Sequence, residues 1–171
     1  VAIIGSGFGG IGAAVKLMRR GFTDVVIFER ADDVGGVWRD NQYPGCACDV
    51  QSHLYSLSFA PNPDWSRSFS RQPEIWDYLR RVAREFGLMP HIRFGHTVQA
   101  AAWEPAARRW RIETSGGVYT AAVLVVGSGA LSEPSVPRLP GIERFQGRRF
   151  HSARWDHSYD LRGRRVAVVG T

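Results

Sequence analysis

Val1-Ala2-Ile3-Ile4-Gly5-Ser6-Gly7-Phe8-Gly9-Gly10 opens the chain, and its reading decides the rest. The leading apolar residues, mostly β-branched, read as a buried strand of a parallel sheet. That strand runs into Gly5-x-Gly7-x-x-Gly10, and residues 11–20 follow with helical spacing. In such a strand–turn–helix unit the first glycine allows the tight turn. The second lets the backbone approach a pyrophosphate, and the third lets the helix pack closely on the strand. The helix N-terminus offers unpaired amides and a partial positive charge to phosphate. A second apolar run, Val25-Val26-Ile27-Phe28, ends at Glu29. It lies about 20 residues past the turn, where an acid accepts from a ribose hydroxyl. Glycine-rich turns also occur without ligands. The strand, the helix and the acid together favour a dinucleotide site over an unliganded βαβ unit.

Moving outward, the first helix turns Ile11, Ala14, Val15 and Met18 inward and Lys16, Arg19 and Arg20 outward, and Gly21 is placed to end it. The following loop, Ala31-Asp32-Asp33-Val34-Gly35-Gly36-Val37-Trp38, permits another close backbone approach at its paired glycines. Trp38 adds a flat face that suits an isoalloxazine ring better than a nicotinamide. The alternative is a flexible turn beside a core tryptophan. Residues 41–59 are polar and aromatic with little periodicity. Long loops of that kind are functional or disordered, and the aromatic content argues against disorder. Asp49 is the only carboxylate between Asp40 and Asp64, and spacing alone leaves open a chemical role or a turn cap.

Pro73 is placed at the first position of a helix over residues 74–86, with Ile75, Leu79, Val82, Ala83 and Phe86 as its buried stripe and Gly87 as its stop. Residues 91–94 read as a strand. Residues 97–103, 110–114 and 118–122 alternate as a small antiparallel meander, with Ser115-Gly116-Gly117 as a hairpin turn. Residues 123–126 return as a buried parallel strand ending at Gly127-Ser128-Gly129-Ala130, the edge where open α/β sheets hold ligands. Arg164-Arg165-Val166-Ala167-Val168-Val169-Gly170-Thr171 reads as one more strand entering a glycine turn. The fold expected is α/β, a Rossmann-like domain with a parallel sheet and a small antiparallel meander, stopping at the start of a second dinucleotide-binding domain.

Composition removes several functions. The formal charge of +6 comes from scattered arginines, Lys16 being the only lysine, and no aromatic-interleaved stripe accompanies them. Solvated surface is favoured over nucleic-acid binding. Cys46-Ala47-Cys48 is neither a CxxC redox pair nor a zinc ligand set, which argues against a disulfide reductase and for a reducing, cytoplasmic compartment. His53, His91, His96, His151 and His157 show no HxxxH spacing, so no metal site is expected. No apolar run approaches the roughly 20 residues of a membrane span.

Phe145-Gln146-Gly147-Arg148-Arg149-Phe150-His151-Ser152-Ala153-Arg154-Trp155-Asp156 fits FxGxxxHxxxW(P/D) at every fixed position. It closely resembles the fingerprint of Baeyer–Villiger monooxygenases, and it lies between two dinucleotide-type strand–turn elements, as in that family. Related flavin monooxygenases usually carry Tyr or Phe at the position of Trp155. Gly5 to Gly10, Gly35-Gly36-Val37-Trp38, Tyr43-Pro44-Gly45, Cys48-Asp49 and Tyr55 agree with the family. Ala47 departs from it, because many members have arginine there.

The resemblance implies FAD held by Gly5, Ser6, Gly7, Phe8, Gly10, Glu29, Arg30, Gly36, Val37, Trp38, Cys48, Asp49 and Tyr55, with the backbone near Val98 at the adenine. It implies NADPH as reductant, and one atom of O2 inserted beside a ketone or aldehyde carbonyl to give an ester or lactone. Asp49 matches the family's active-site aspartate, whose arginine partner is expected beyond Thr171. Phe145, Gly147, His151, Trp155 and Asp156 fall in a linker that couples domain motion to catalysis. The expected organisation is residues 1–144 for the FAD-binding part, 145–163 for the linker and 164–171 for the start of an NADPH-binding domain. On this reading the chain is a piece of a larger enzyme. Alternatives are a flavin monooxygenase acting on nitrogen or sulfur, an NAD-dependent dehydrogenase, and a non-catalytic flavin-binding module.

Overall fold

The computed structural model describes residues 1–170 and has three layers. Its centre is a parallel sheet of β1 (Ala2–Ile4), β2 (Val26–Phe28), β3 (Ile92–Arg93) and β7 (Leu124–Val126) in the order β3-β2-β1-β7. The register sets Ile3 beside Ile27 and Val125, and Ala2 beside Val26 and Leu124. Alternation along each strand then sends side chains to opposite faces.

On one face Ile3 and Ile27 meet α1 (Phe8–Arg19) and α3 (Gln72–Glu85), which bury Ile11, Ala14 and Val15 from the first helix and Ile75, Leu79, Val82 and Ala83 from the second. On the other, Ala2 and Phe28 pack against Ile112 and Ala121 of the antiparallel meander β4 (Val98–Glu104), β5 (Arg109–Thr114) and β6 (Gly117–Ala121). Truncating a fully buried Ile27 or Leu79 to alanine costs about 2–5 kcal/mol.

Several expectations shift. Helix α3 starts at Gln72, which places Pro73 at its second position rather than its first. The buried Gln72 side chain donates to the Trp38 carbonyl, a tertiary bond that extends the helix start. Gly117 belongs to β6, leaving Ser115 and Gly116 as a two-residue turn. His91 ends a 3-10 turn, Met89–His91, so β3 is shorter than residues 91–94. Residues 165–170 form no strand: a strand needs a neighbour to bond, and among the described residues none runs beside them. Thr171 lies outside the described residues. No helix of the described residues is long and apolar enough to cross a membrane.

Candidate functional site

The carboxyl ends of β1, β2 and β7 converge on the glycine turn. Gly5 N–H donates to the Phe28 carbonyl at 2.8 Å, and Gly127 N–H donates to the Ile4 carbonyl at 2.8 Å. A Cβ on Gly10 would sit 1.8 Å from the Gly5 carbonyl oxygen, so only glycine lets α1 approach this turn. The first backbone bond into the helix is Ile11 N–H to the Gly7 carbonyl, 3.0 Å. The amides of Phe8, Gly9 and Gly10 therefore lie ahead of it, with neither a side-chain cap nor an acid in the first turn. This end of a 12-residue helix is open to an anion.

Facing it is Gly36. Its φ of +54° and ψ of −128° are open only to glycine, and a Cβ there would lie 3.2 Å from the Gly7 Cα. Gly35 N–H donates to the Ser6 carbonyl at 3.0 Å, fastening the loop to the glycine turn. The short helix α2 (Val37–Asp40) starts from Gly36 and aims Trp38 at Tyr55, its indole Nε1 donating to the phenol at 2.9 Å. Phe8 completes an aromatic wall, its ring edge-on to Tyr55 at 5.0 Å. Burial raises the Tyr55 pKa, the Trp38 bond opposes it, and the charges of Cys48 and Asp49 raise it further, for a net rise.

Glu29 is 4% exposed and fully engaged. Oε2 accepts from the Ser6 amide at 3.0 Å and the Ser6 hydroxyl at 2.6 Å. Oε1 accepts from the Ala31 amide at 3.0 Å and lies 3.0 Å from Arg39 Nη1. Burial raises its pKa, but the Ser6 hydroxyl, Ala31 amide, Arg39 charge and Ser6 amide outweigh burial and hold it below the usual carboxylate range. Arg39 was missed in the sequence, where it stood as one arginine among many. Its signal was its place, directly after Trp38 in the glycine loop.

The other expected residues are placed as follows. Arg30 reaches across to the loop after β7, pairing with Glu133 and donating to the Ser132 carbonyl at 2.8 Å. Val98 is half-buried at the start of β4, packed on the core that contains Phe28. Asp49 is exposed, beside the buried Cys48, whose amide donates to the Ser70 carbonyl at 2.9 Å. Residues 46–54 are thereby laced to residues 66–72, with Ser52 Oγ 2.6 Å from Ser70 Oγ.

The 145–156 stretch has its own internal logic. The Phe145 ring lies over Gly147, where a Cβ would meet it at 2.5 Å. His151 Nδ1 accepts from the Ala153 amide at 3.1 Å. Asp156 accepts from the Ser158 amide and pairs with Arg148 at 2.9 Å. Trp155 stands edge-on to Phe150 at 5.0 Å and leans toward Tyr43 at 6.5 Å. A cavity of about 580 Å³ separates Trp155 and His157 from Asp33, Arg39, Asp40 and Trp76. The stretch thus docks over the loop that carries Arg39, outside the cradle formed by Gly7 and Gly36.

The model of flavin-binding monooxygenase-like proteins matches residues 1–171. The chain belongs to this family. It is 61% identical over its whole length to a Baeyer–Villiger monooxygenase of Streptomyces coelicolor, covering 33% of that relative. A crystal structure of cyclohexanone monooxygenase bound to ε-caprolactone superposes with a TM-score of 0.89 at 40% identity, over 99% of this chain and 34% of that one. The OTEMO complex with FAD and NADP gives 0.83 at 34% identity, over 92% of this chain and 30% of that one. The chain therefore spans about a third of the length of the proteins it matches.

Proposed function

We propose that the chain forms the FAD-holding part of an NADPH- and O2-dependent monooxygenase that inserts one oxygen atom beside the carbonyl of a ketone or aldehyde, giving an ester or lactone. The observation that carries this reading is the uncapped helix N-terminus beside the close backbone contact of Gly7 and Gly36, flanked by Phe8, Trp38 and Tyr55 and by the buried Glu29. These residues fit a flavin dinucleotide. Backbone without side chains meets the pyrophosphate, an ionised carboxylate meets the ribose, and flat apolar faces shelter the ring from water. The relatives' names support the reaction type.

The chemistry supplied with FAD bound is electron uptake from NADPH and activation of O2. Everything else falls to the chain. The amides at the start of α1 bind and orient the pyrophosphate, and Glu29 accepts from the ribose hydroxyls. Asp49 stands exposed in the loop that leads to Tyr55, placed to hold a cationic partner. Cys48, Val37 and Arg30 keep the surrounding loops in register, and the 145–156 stretch transmits domain movement to the Arg39 loop. The free thiols of Cys46 and Cys48 fit a reducing, cytoplasmic compartment.

The test is to purify the natural full-length protein, measure its flavin content, and follow NADPH consumption with a panel of ketones while assaying products. Bound FAD with ketone-dependent ester or lactone formation is expected. A flavin-free protein, or one oxidising only amines or sulfides, overturns the reading.

A further inference from the structure

Arg39 is the least explained charge in the molecule. Its side chain is 8% exposed, and three separate groups hold it. Nη1 lies 3.0 Å from Glu29 Oε1 and donates to the Asp33 carbonyl at 2.6 Å, while Nε donates to Asp40 Oδ1 at 2.8 Å. Burying a guanidinium this far is costly unless its charge is answered, and here Nε and Nη1 meet two carboxylates and a carbonyl. The backbone that places it is set by Gly36, whose carbonyl accepts from the Arg39 and Asp40 amides at 3.0 Å each. One turn of helix therefore aims Trp38 at the aromatic wall and Arg39 at the acid.

The donors around Glu29 divide unequally. A carboxylate offers about four acceptor positions, and four donors fill them. The Ser6 and Ala31 amides are fixed by the backbone, and Arg39 is fixed by its ion pairs. Only the Ser6 hydroxyl, on Oε2, can rotate away without moving the main chain or uncovering a charge. Oε1 is the anchored oxygen and Oε2 the exchangeable one.

We propose that Arg39 is a positioning residue for nucleotide binding: it clamps Glu29 through Oε1, so that Oε2 is presented to the hydroxyls of the adenosine ribose of FAD. This rests on the flavin reading above. Without the clamp Glu29 would still be acidic and still near the site, but Oε1 would keep only the Ala31 amide, and the carboxylate would be held less tightly in its present orientation. The ribose hydroxyls would then contribute little to affinity. Lysine could supply the charge, but it has no fork with which to hold Asp40 through one nitrogen while another holds Glu29 and Asp33.

The experiment compares two ligands in the natural full-length protein freed of flavin, FAD and the analogue whose adenosine half is 2′,3′-dideoxy. Dissociation constants are measured for the wild type, Arg39→Met and Arg39→Lys. In the wild type, deleting the hydroxyls should weaken binding about tenfold to a hundredfold, the range for hydrogen bonds to a charged group. In Arg39→Met, FAD should bind more weakly and the penalty for the missing hydroxyls should shrink several-fold, with Arg39→Lys in between. A merely structural Arg39 would weaken both ligands equally. An undiminished hydroxyl penalty in Arg39→Met, or in Arg39→Lys if the first variant does not fold, overturns the proposal. A wild type that binds FAD but ignores the hydroxyls overturns it too. A wild type that binds no FAD brings down the flavin reading and this inference together.

Discussion

Gly7 and Gly36 face one another backbone to backbone: a Cβ on Gly7 would stand 3.7 Å from the Gly36 Cα, an ordinary van der Waals contact. The protein itself therefore has room for a side chain at Gly7, whose φ of −81° and ψ of −166° suit any residue. Gly10 is the opposite case, with the Gly5 carbonyl 1.8 Å from any Cβ.

The two glycines should thus separate binding from folding. Gly7→Ala is expected to leave the unfolding free energy of the flavin-free protein within about 1 kcal/mol of wild type, while weakening FAD at least tenfold. Gly10→Ala should cost about 3 kcal/mol or more, because backbone must move. Urea unfolding and flavin titration of the same preparations decide it. A Gly7→Ala protein with wild-type affinity would show that the cradle holds no pyrophosphate.

Tyr55 accepts the Trp38 indole bond, and both side chains are half-buried. Tyr55→Phe should cost about 1 kcal/mol by leaving the indole N–H without its acceptor. In a double-mutant cycle with Trp38→Phe that loss should be largely absent when Trp38 is already changed. Additive losses would mean that the bond contributes nothing to stability.

Acid should weaken the fold through Glu29. Its folded pKa is depressed, so its contribution is complete above the unfolded glutamate value of about 4.3 and fades as pH falls through the lower folded value. The groups facing it are the Ser6 hydroxyl, the Ala31 amide and Arg39, with Asp40 paired to that arginine. Arg39 stays charged throughout, because its neighbouring acids raise its pKa more than burial lowers it. Glu29→Gln should be less stable than wild type at neutral pH, with the gap narrowing as both are acidified. A gap independent of pH would show that Glu29 does not titrate as the structure requires.

Much of this was legible in the sequence because it is local. The strand, glycine turn and first helix occupy consecutive residues, and Glu29 follows at motif spacing. The fingerprint is local in the same way, the Phe145 ring lying over Gly147 two residues on. What stayed hidden depends on segments distant in the chain. Residues 41–59 show no period because they are ordered by bonds to residues 66–72, such as the Ser52 amide to the Ser68 carbonyl at 2.8 Å. The early start of α3 depends on Gln72 reaching Trp38, 34 residues away. Arg39 was invisible because the geometry of Gly36, rather than any periodicity, turns it toward Glu29. At residues 165–170 the apolar pattern suits a strand, but pattern alone supplies no pairing edge.

Asp49 gives the sharpest contrast between stability and chemistry. It is exposed, and its carboxylate has no hydrogen-bond or ion-pair partner among the described residues, so nothing in the fold depends on it. It nevertheless stands next to the buried Cys48, in the loop that leads to Tyr55 of the aromatic wall. Asp49→Ala in the natural full-length protein should change unfolding free energy by less than about 0.5 kcal/mol, as for an unencumbered surface site. Flavin occupancy should be retained. If Asp49 holds a cation beside the reacting atoms, as the proposed function requires, ketone turnover should nonetheless fall at least tenfold, because such a carboxylate acts on the transition state rather than on the fold. Asp49→Asn, which keeps the shape and loses the charge, should resemble the alanine variant. Measuring melting, bound flavin and product formation on the same samples separates the possibilities. Wild-type turnover in both variants removes Asp49 from the chemistry, and loss of flavin together with turnover reassigns it to cofactor binding.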